Sequence, residues 1–159
     1  KHMQEMFRRA RNHRGAAFVE IFQNCNVFNN GAFETITAKS ARDDMLIPLV
    51  HGKQVRFGAE KEKGVAIDAQ GRAQIVRVDD VGEDAILVHD EARSEPGLAF
   101  TLSRLSAGPH EPTPVGVFRA VDRPDYGSET NRQLAAAQDR SGTGDLRSLL
   151  HSRPTWDVS

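Results

Sequence analysis

The side chains here that could do chemistry are one thiol, Cys25, and six scattered histidines, His2, His13, His51, His89, His110 and His151. Metal ligation, nucleophilic attack and acid–base work are the chemistries these groups offer. No pair has the HExxH or CxxC spacing of a mononuclear zinc site. His89-Asp90 and His110-Glu111 each set an imidazole beside a carboxylate, yet nothing positions either against a nucleophile. The P-loop, G-x-G-x-x-G and G-x-S-x-G patterns are absent. Cys25 itself leaves three readings open. The ordinary fate of a lone cysteine after a strand is a small buried hydrophobe. A nucleophile would want a histidine or a helix N-terminus close by, and none is local. A cluster ligand would need further thiolates from elsewhere, since this chain has one cysteine.

The elements around Cys25 suggest how it is held. Met3, Met6, Phe7 and Ala10 form one apolar helical face. Arg8, Arg9, Arg11 and Arg14 lie largely off it, as a solvated face that complements the helix dipole. Gly15 is the expected stop. Ala16 to Phe22 is a continuous apolar run broken only by Glu20, which fits a strand covered on both faces, as in a parallel sheet. Glu20 reads as a carboxylate at a sheet edge or paired with an arginine, with catalysis the less ordinary alternative. Helix, glycine and buried strand make half of a βαβ unit. Gln23 to Gly31, QNCNVFNNG, is then the loop at the strand's carboxyl end, where open parallel sheets bind ligands. Its asparagines tolerate left-handed backbone and cap local amides.

Further along, AFETITA and SARDDM read as short helices, with Ser40 a candidate N-cap. MLIPLV suits a buried extended connection better than a central strand because of Pro48. QVRFG alternates like a short strand, and AEKEK after it reads as solvated. GVAIDAQGRAQIVRV reads as a hairpin turning at Ala69-Gln70-Gly71, where Gly71 supplies positive φ. A further short strand or helix start falls around Ile86 to Val88. PGLAFTLSRL reads as a helix with Leu98, Leu102 and Leu105 on one face. SAGPHEPTP is a loop, Val115 to Val121 a strand, Glu129 to Arg140 an Ala-rich helix, and Gly144-Asp145 opens a helix through Leu150. Trp156 is the expected packing anchor near the end. The fold class is therefore α/β, with residues 1–53 belonging to an α/β domain and residues 54–159 forming an α+β extension that contains the hairpin.

The totals narrow the function. With 159 residues, 38% hydrophobic and 27% charged, the chain can build one real core but not two large ones. A net charge of −1 and a pI near 6.7 offer no basic footprint for nucleic acid and no polybasic membrane patch. No apolar run approaches the roughly 20 residues a spanning helix needs, and KHMQEMFRRA lacks a signal-peptide core. One cysteine rules out an intrachain disulfide, so a reduced, cytoplasmic setting is expected. The chain opens at Lys1, inside a helical pattern, and reads as a fragment.

Two stretches carry a family resemblance. GAAFVEIFQNCNVFNNGAFE and MLIPLVHGKQVRFG resemble the beta subunit of two-subunit 2-oxoacid:ferredoxin oxidoreductases, especially the 2-oxoglutarate type of actinobacteria. GEDAILVHDE, LAFTLSRL and GPHEPTPVGVFRAVDRP are similar to that family's C-terminal segment. The resemblance implies a thiamine-diphosphate-binding parallel-sheet domain ending near residue 53. It also implies oxidative decarboxylation of a 2-oxoacid to an acyl-CoA, with electrons passed through a 4Fe–4S cluster to ferredoxin and an alpha subunit as partner. In such a subunit thiamine diphosphate and magnesium sit on a GDG-type motif, which is not in this chain, so no catalytic or cofactor-contacting residue is assigned here. Three of the family's cluster cysteines are likewise missing. The fourth, in a strand-end loop, matches Cys25 of NCNVFN. The resemblance thus implies that Cys25 is a metal ligand in the intact subunit and that this chain by itself is inactive and binds no cluster. The competing reading is a non-catalytic interaction domain with Cys25 as a buried structural residue.

Overall fold

The computed structural model describes residues 1–105, 111–154 and 156. It shows a mixed α/β fold with two sheets, one parallel and two-stranded, the other antiparallel and three-stranded. The chain divides into two compact units, residues 1–13 with 17–121 and residues 14–16 with 122–159.

The first unit opens with α1 (His2–Asn12), then short helices α2 (Glu34–Thr37) and α3 (Arg42–Met45). Strand β1 (Leu46–Leu49) pairs in parallel with β5 (Thr113–Gly116), in the register Leu46 to Thr113 through Leu49 to Gly116. MLIPLV is more than a connection: it holds β1, which is an edge strand and not a central one. In a two-stranded sheet each strand keeps an open edge, where a prolyl nitrogen need not break a ladder bond. β5 is also displaced from the expected Val115–Val121 strand. It ends at Gly116, whose φ is +133° and where an added Cβ would stand 2.6 Å from the Leu49 carbonyl oxygen. Only glycine allows that approach.

The second sheet is β2 (Arg56–Phe57), β3 (Lys63–Ile67) and β4 (Ala73–Arg77), in that order. β3 and β4 form the hairpin that the alternation predicts, with Val65 opposite Ile75. Gly71 has φ +79°, the left-handed backbone the turn requires. Asp68 organises that turn: its carboxylate accepts the backbone N–H groups of Gln70 and Arg72, both at 2.9 Å, and Arg72 Nε at 2.8 Å. After α4 (Val78–Val81) and a 3-10 turn (Glu83–Ala85), Leu87 joins the sheet region, accepting from Val55 N and donating to the Val65 carbonyl, each at 2.8 Å. Helix α5 (Gly97–Ser103) buries Leu102. Ile47, Leu49, Val55, Phe57, Val65 and Leu102 form one buried cluster. One hydrophobic face from each sheet and one from α5 thus share a core.

Four expectations fail. Ala16 to Phe22 forms no strand, and its side chains are exposed, Phe18 at 91%. A doubly covered strand needs a ladder partner on each edge, and none of the five described strands lies beside this run. Glu20 is correspondingly exposed rather than at a sheet edge. Ser40 caps no helix: the N-cap of α3 is Ala41, without a side-chain bond. Finally, Arg9 is not merely solvated. It grips Glu91 with both terminal nitrogens, at 2.6 and 3.0 Å, and so fastens α1 to a residue 82 positions away.

The second unit holds α6 (Tyr126–Ser141) and α7 (Leu146–Leu150), close to the expected helices. Asp125 and Asp145 cap them, accepting from Ser128 N at 2.9 Å and Ser148 N at 2.7 Å. Neither helix buries a residue. Trp156 is 83% exposed and anchors no packing in this chain. The SAGPHEPTP loop lies largely outside the described residues.

Candidate functional site

Cys25 sits in a closed polar loop. At its base the rings of Phe22 and Phe33 meet, with centroids 5.2 Å apart, a separation typical of aromatic pairs. Above them Asn29 N donates to the Cys25 carbonyl at 2.9 Å, forming a lone antiparallel bridge. The side chain of Asn24 ties the rest: it accepts from Gly31 N at 2.8 Å and donates to Asn26 Oδ1 at 2.8 Å and Asn30 Oδ1 at 3.0 Å. Glu34 N then donates to the Gly31 carbonyl at 3.0 Å, leading into α2.

The loop turns backbone donors toward the sulfur. Phe28 N donates to Cys25 Sγ at 3.5 Å, within the range for sulfur acceptors. The Phe28 N–H, followed by those of Val27 and Asn29, holds the thiol below its usual range, against the opposite pull of desolvation. Electropositive amides favour thiolate over thiol, the form that ligates metals. Cys25 is partly exposed, not buried. The packing role that spacing favours for a lone cysteine therefore has no support in this chain. Val27 and Phe28, which flank the sulfur, are 81% and 91% exposed.

Among the described residues the histidines form no cluster with Cys25 that could hold a metal ion. His89 is fully buried, with Nε2 2.7 Å from the Val117 carbonyl, so it ties the segment after β5 to the core. His51 Nδ1 lies 3.5 Å from Asp90 and accepts from Glu91 N at 3.3 Å. Glu91 is paired outside the loop with Arg9. Its hydrogen bonds to Arg9 hold its carboxyl below the ordinary range, helped by the charges of Arg9, His51 and His89 and opposed by burial. His110 lies outside the described residues. Among the described residues no three or more His, Cys, Asp or Glu side chains converge to hold a metal ion.

The donor set fits one corner of a thiolate-held cluster and no more. A single amide-surrounded sulfur is a suitable ligand, but a 4Fe–4S cluster needs four. For the magnesium that accompanies thiamine diphosphate the fit is absent: the described residues offer no converging carboxylates. Reading by residue type found Cys25. It missed Asn24, Glu91 and Asp68, whose roles rest on partners that spacing does not reveal.

Among curated proteins, the chain is similar to 2-oxoglutarate oxidoreductase subunit KorB of Mycobacterium tuberculosis, with 41% identity over 156 residues. That match covers 97% of this chain and 41% of KorB, so the chain spans about two fifths of the relative's length. No family model matches the chain. No solved structure matches it either. No helix among the described residues is long and apolar enough to cross a membrane.

Proposed function

We propose, from the premise that this is a 2-oxoglutarate:ferredoxin oxidoreductase beta-subunit-like protein, that the chain is the C-terminal portion of such a subunit and that Cys25 is one of four thiolate ligands to its 4Fe–4S cluster. The observation that carries the reading is the identity to KorB along 97% of the chain. The partly exposed sulfur facing backbone N–H groups is consistent with it.

In the intact enzyme the subunit works with an alpha subunit on a 2-oxoacid, 2-oxoglutarate, and coenzyme A, and passes electrons to ferredoxin in the cytoplasm. When bound, thiamine diphosphate with magnesium supplies the decarboxylation chemistry and the cluster supplies one-electron transfer. This chain's residues have a narrower share. Cys25 ligates iron as thiolate, and the Phe28 N–H orients and partly neutralises the sulfur. Residues 1–53 close the thiamine-diphosphate domain, and 54–159 form its extension. The thiamine diphosphate and magnesium ligands lie outside the chain, so the chain alone is inactive and holds no cluster.

Cys25→Ser in the complete subunit tests the ligand role. The variant should fold, lose its full iron complement and stop reducing ferredoxin. Normal ferredoxin reduction would falsify the proposal. Anaerobic iron reconstitution of this chain alone should yield no stoichiometric broad visible absorption.

A further inference from the structure

We infer that Asn24 is a positioning residue for Cys25, its side-chain amide closing the loop into the shape that turns the Phe28 N–H onto the sulfur. For its functional meaning the inference rests on the reading of Cys25 as a cluster ligand.

Apart from the Asn29 N–H donated to the Cys25 carbonyl at 2.9 Å, the loop has little else to fix it. Val27 and Phe28 are exposed, so packing does not set its shape. The Phe22–Phe33 pair closes only the base. Between base and tip, Asn24 makes three side-chain bonds that cross the loop, reaching residues 26, 30 and 31. Both Nδ2 hydrogens are used and Oδ1 takes the Gly31 N–H. The amide therefore cannot flip, because a flip would set its NH₂ group against the Gly31 N–H. No other amino acid of this size supplies two donors and one acceptor from a single planar group. Asp keeps the acceptor and loses both donors; Ala loses all three. Asn24 adjoins Cys25 in the chain, so fixing it fixes the residue that carries the thiol, while residues 26 to 30 carry the donor that faces the thiol.

The consequence for a bound cluster follows from charge. An N–H aimed at a ligand sulfur stabilises the more negative, reduced state and raises the reduction potential. Loss of the Asn24 bonds should loosen that donor and lower the potential.

Amide exchange measured by NMR on this chain tests the positioning itself. Asn24→Ala should speed exchange at both Gly31 and Phe28 by about two- to tenfold, the loss of a typical exposed hydrogen bond. Val65 and Ile75 in the hairpin should not change. Faster exchange at Gly31 alone would overturn the inference, because the sulfur's donor would then stand without Asn24. In the complete subunit, Asn24→Ala should lower the cluster's midpoint potential. An unchanged potential with a full iron complement would also overturn it. Failure of the ligand reading shows differently: a Cys25→Ser subunit that keeps all its iron removes the cluster role but leaves the exchange result untouched.

Discussion

The core around Phe57 and the segment from Ala16 to Phe28 use similar side chains to opposite ends. Phe57 is 2% exposed and sits among Ile47, Leu49, Val55, Val65 and Leu102. Phe18, in an apolar run, and Phe28, in the asparagine-rich loop, are both 91% exposed. The core is held by packing, since its strands and helix bring complementary faces from within the chain. The Cys25 loop is held by amide hydrogen bonds and has almost no apolar interior. An apolar pattern records what a segment needs covered. It does not record which chain covers it.

Matched substitutions give the sharpest test of that contrast. Phe57→Ala should destabilise the chain by about 3–5 kcal/mol in urea unfolding, the cost of a large cavity in a closed core. Phe18→Ala and Phe28→Ala should each change it by less than about 0.5 kcal/mol, because little is lost at an exposed site. Equal costs at the three positions would erase the distinction between the regions.

A smaller effect tests how tightly the core's own edge is drawn. Gly116→Ala forces a Cβ to 2.6 Å from the Leu49 carbonyl, at a φ that other residues avoid. We expect a loss of about 1–3 kcal/mol, with exchange quickened in β1 before the hairpin. Gly15 is also at positive φ, but no atom lies within 4 Å of where its Cβ would stand. Gly15→Ala should therefore cost less than Gly116→Ala, from backbone strain alone, and the reverse order would contradict the assignment of the tight contact.

The smallest expected effect concerns the ion pair that fastens α1. Glu91→Gln should cost about 1 kcal/mol, discounted because Arg9 is 39% exposed. The sign of its pH dependence is fixed by direction. Glu91 titrates lower in the folded chain than in the unfolded one. Its contribution is therefore complete above the ordinary glutamate range, about pH 4, and is lost as pH falls through the depressed folded value. Asp68, Asp125 and Asp145 are depressed as well, by hydrogen bonds from Arg72 N and from Ser128 and Ser148, and act in the same direction. Urea midpoints measured from pH 6 down to pH 3 should fall less steeply in Glu91→Gln than in the parent chain. Parallel curves would show that the pair carries no pH-linked stability.

Local rules made much of this legible in advance. The hairpin, α5, α6 and α7 follow from alternation, a turn glycine, a helix-opening proline, an Ala-rich stretch and the Gly144-Asp145 start, all signals within a few residues. The parallel pairing of β1 with β5 was hidden because Pro48 argues against a strand and the partner lies far along the chain. The Arg9–Glu91 pair was hidden for the same reason of distance. Of the site, the thiol was conspicuous as the sole cysteine. The work of Asn24 was not, because four asparagines stand near Cys25 and only their hydrogen bonds tell them apart.

The parallel pairing also sets an order of events in time. The hairpin strands are joined by residues 68–72, a loop that closes quickly. β1 must await β5, and everything from residue 50 to residue 112 lies between them. Closing that long a loop costs more chain entropy before any ladder bond forms. During synthesis β1 leaves the ribosome with no mate, beside an apolar run that also lacks one, while the hairpin can already form. Pulse-labelled hydrogen exchange during refolding should find Ala66 and Gln74, a facing pair of the hairpin, protected before Ile47. β1 is then the last strand to be secured, and the interval before β5 arrives is when the chain is most exposed to misassembly.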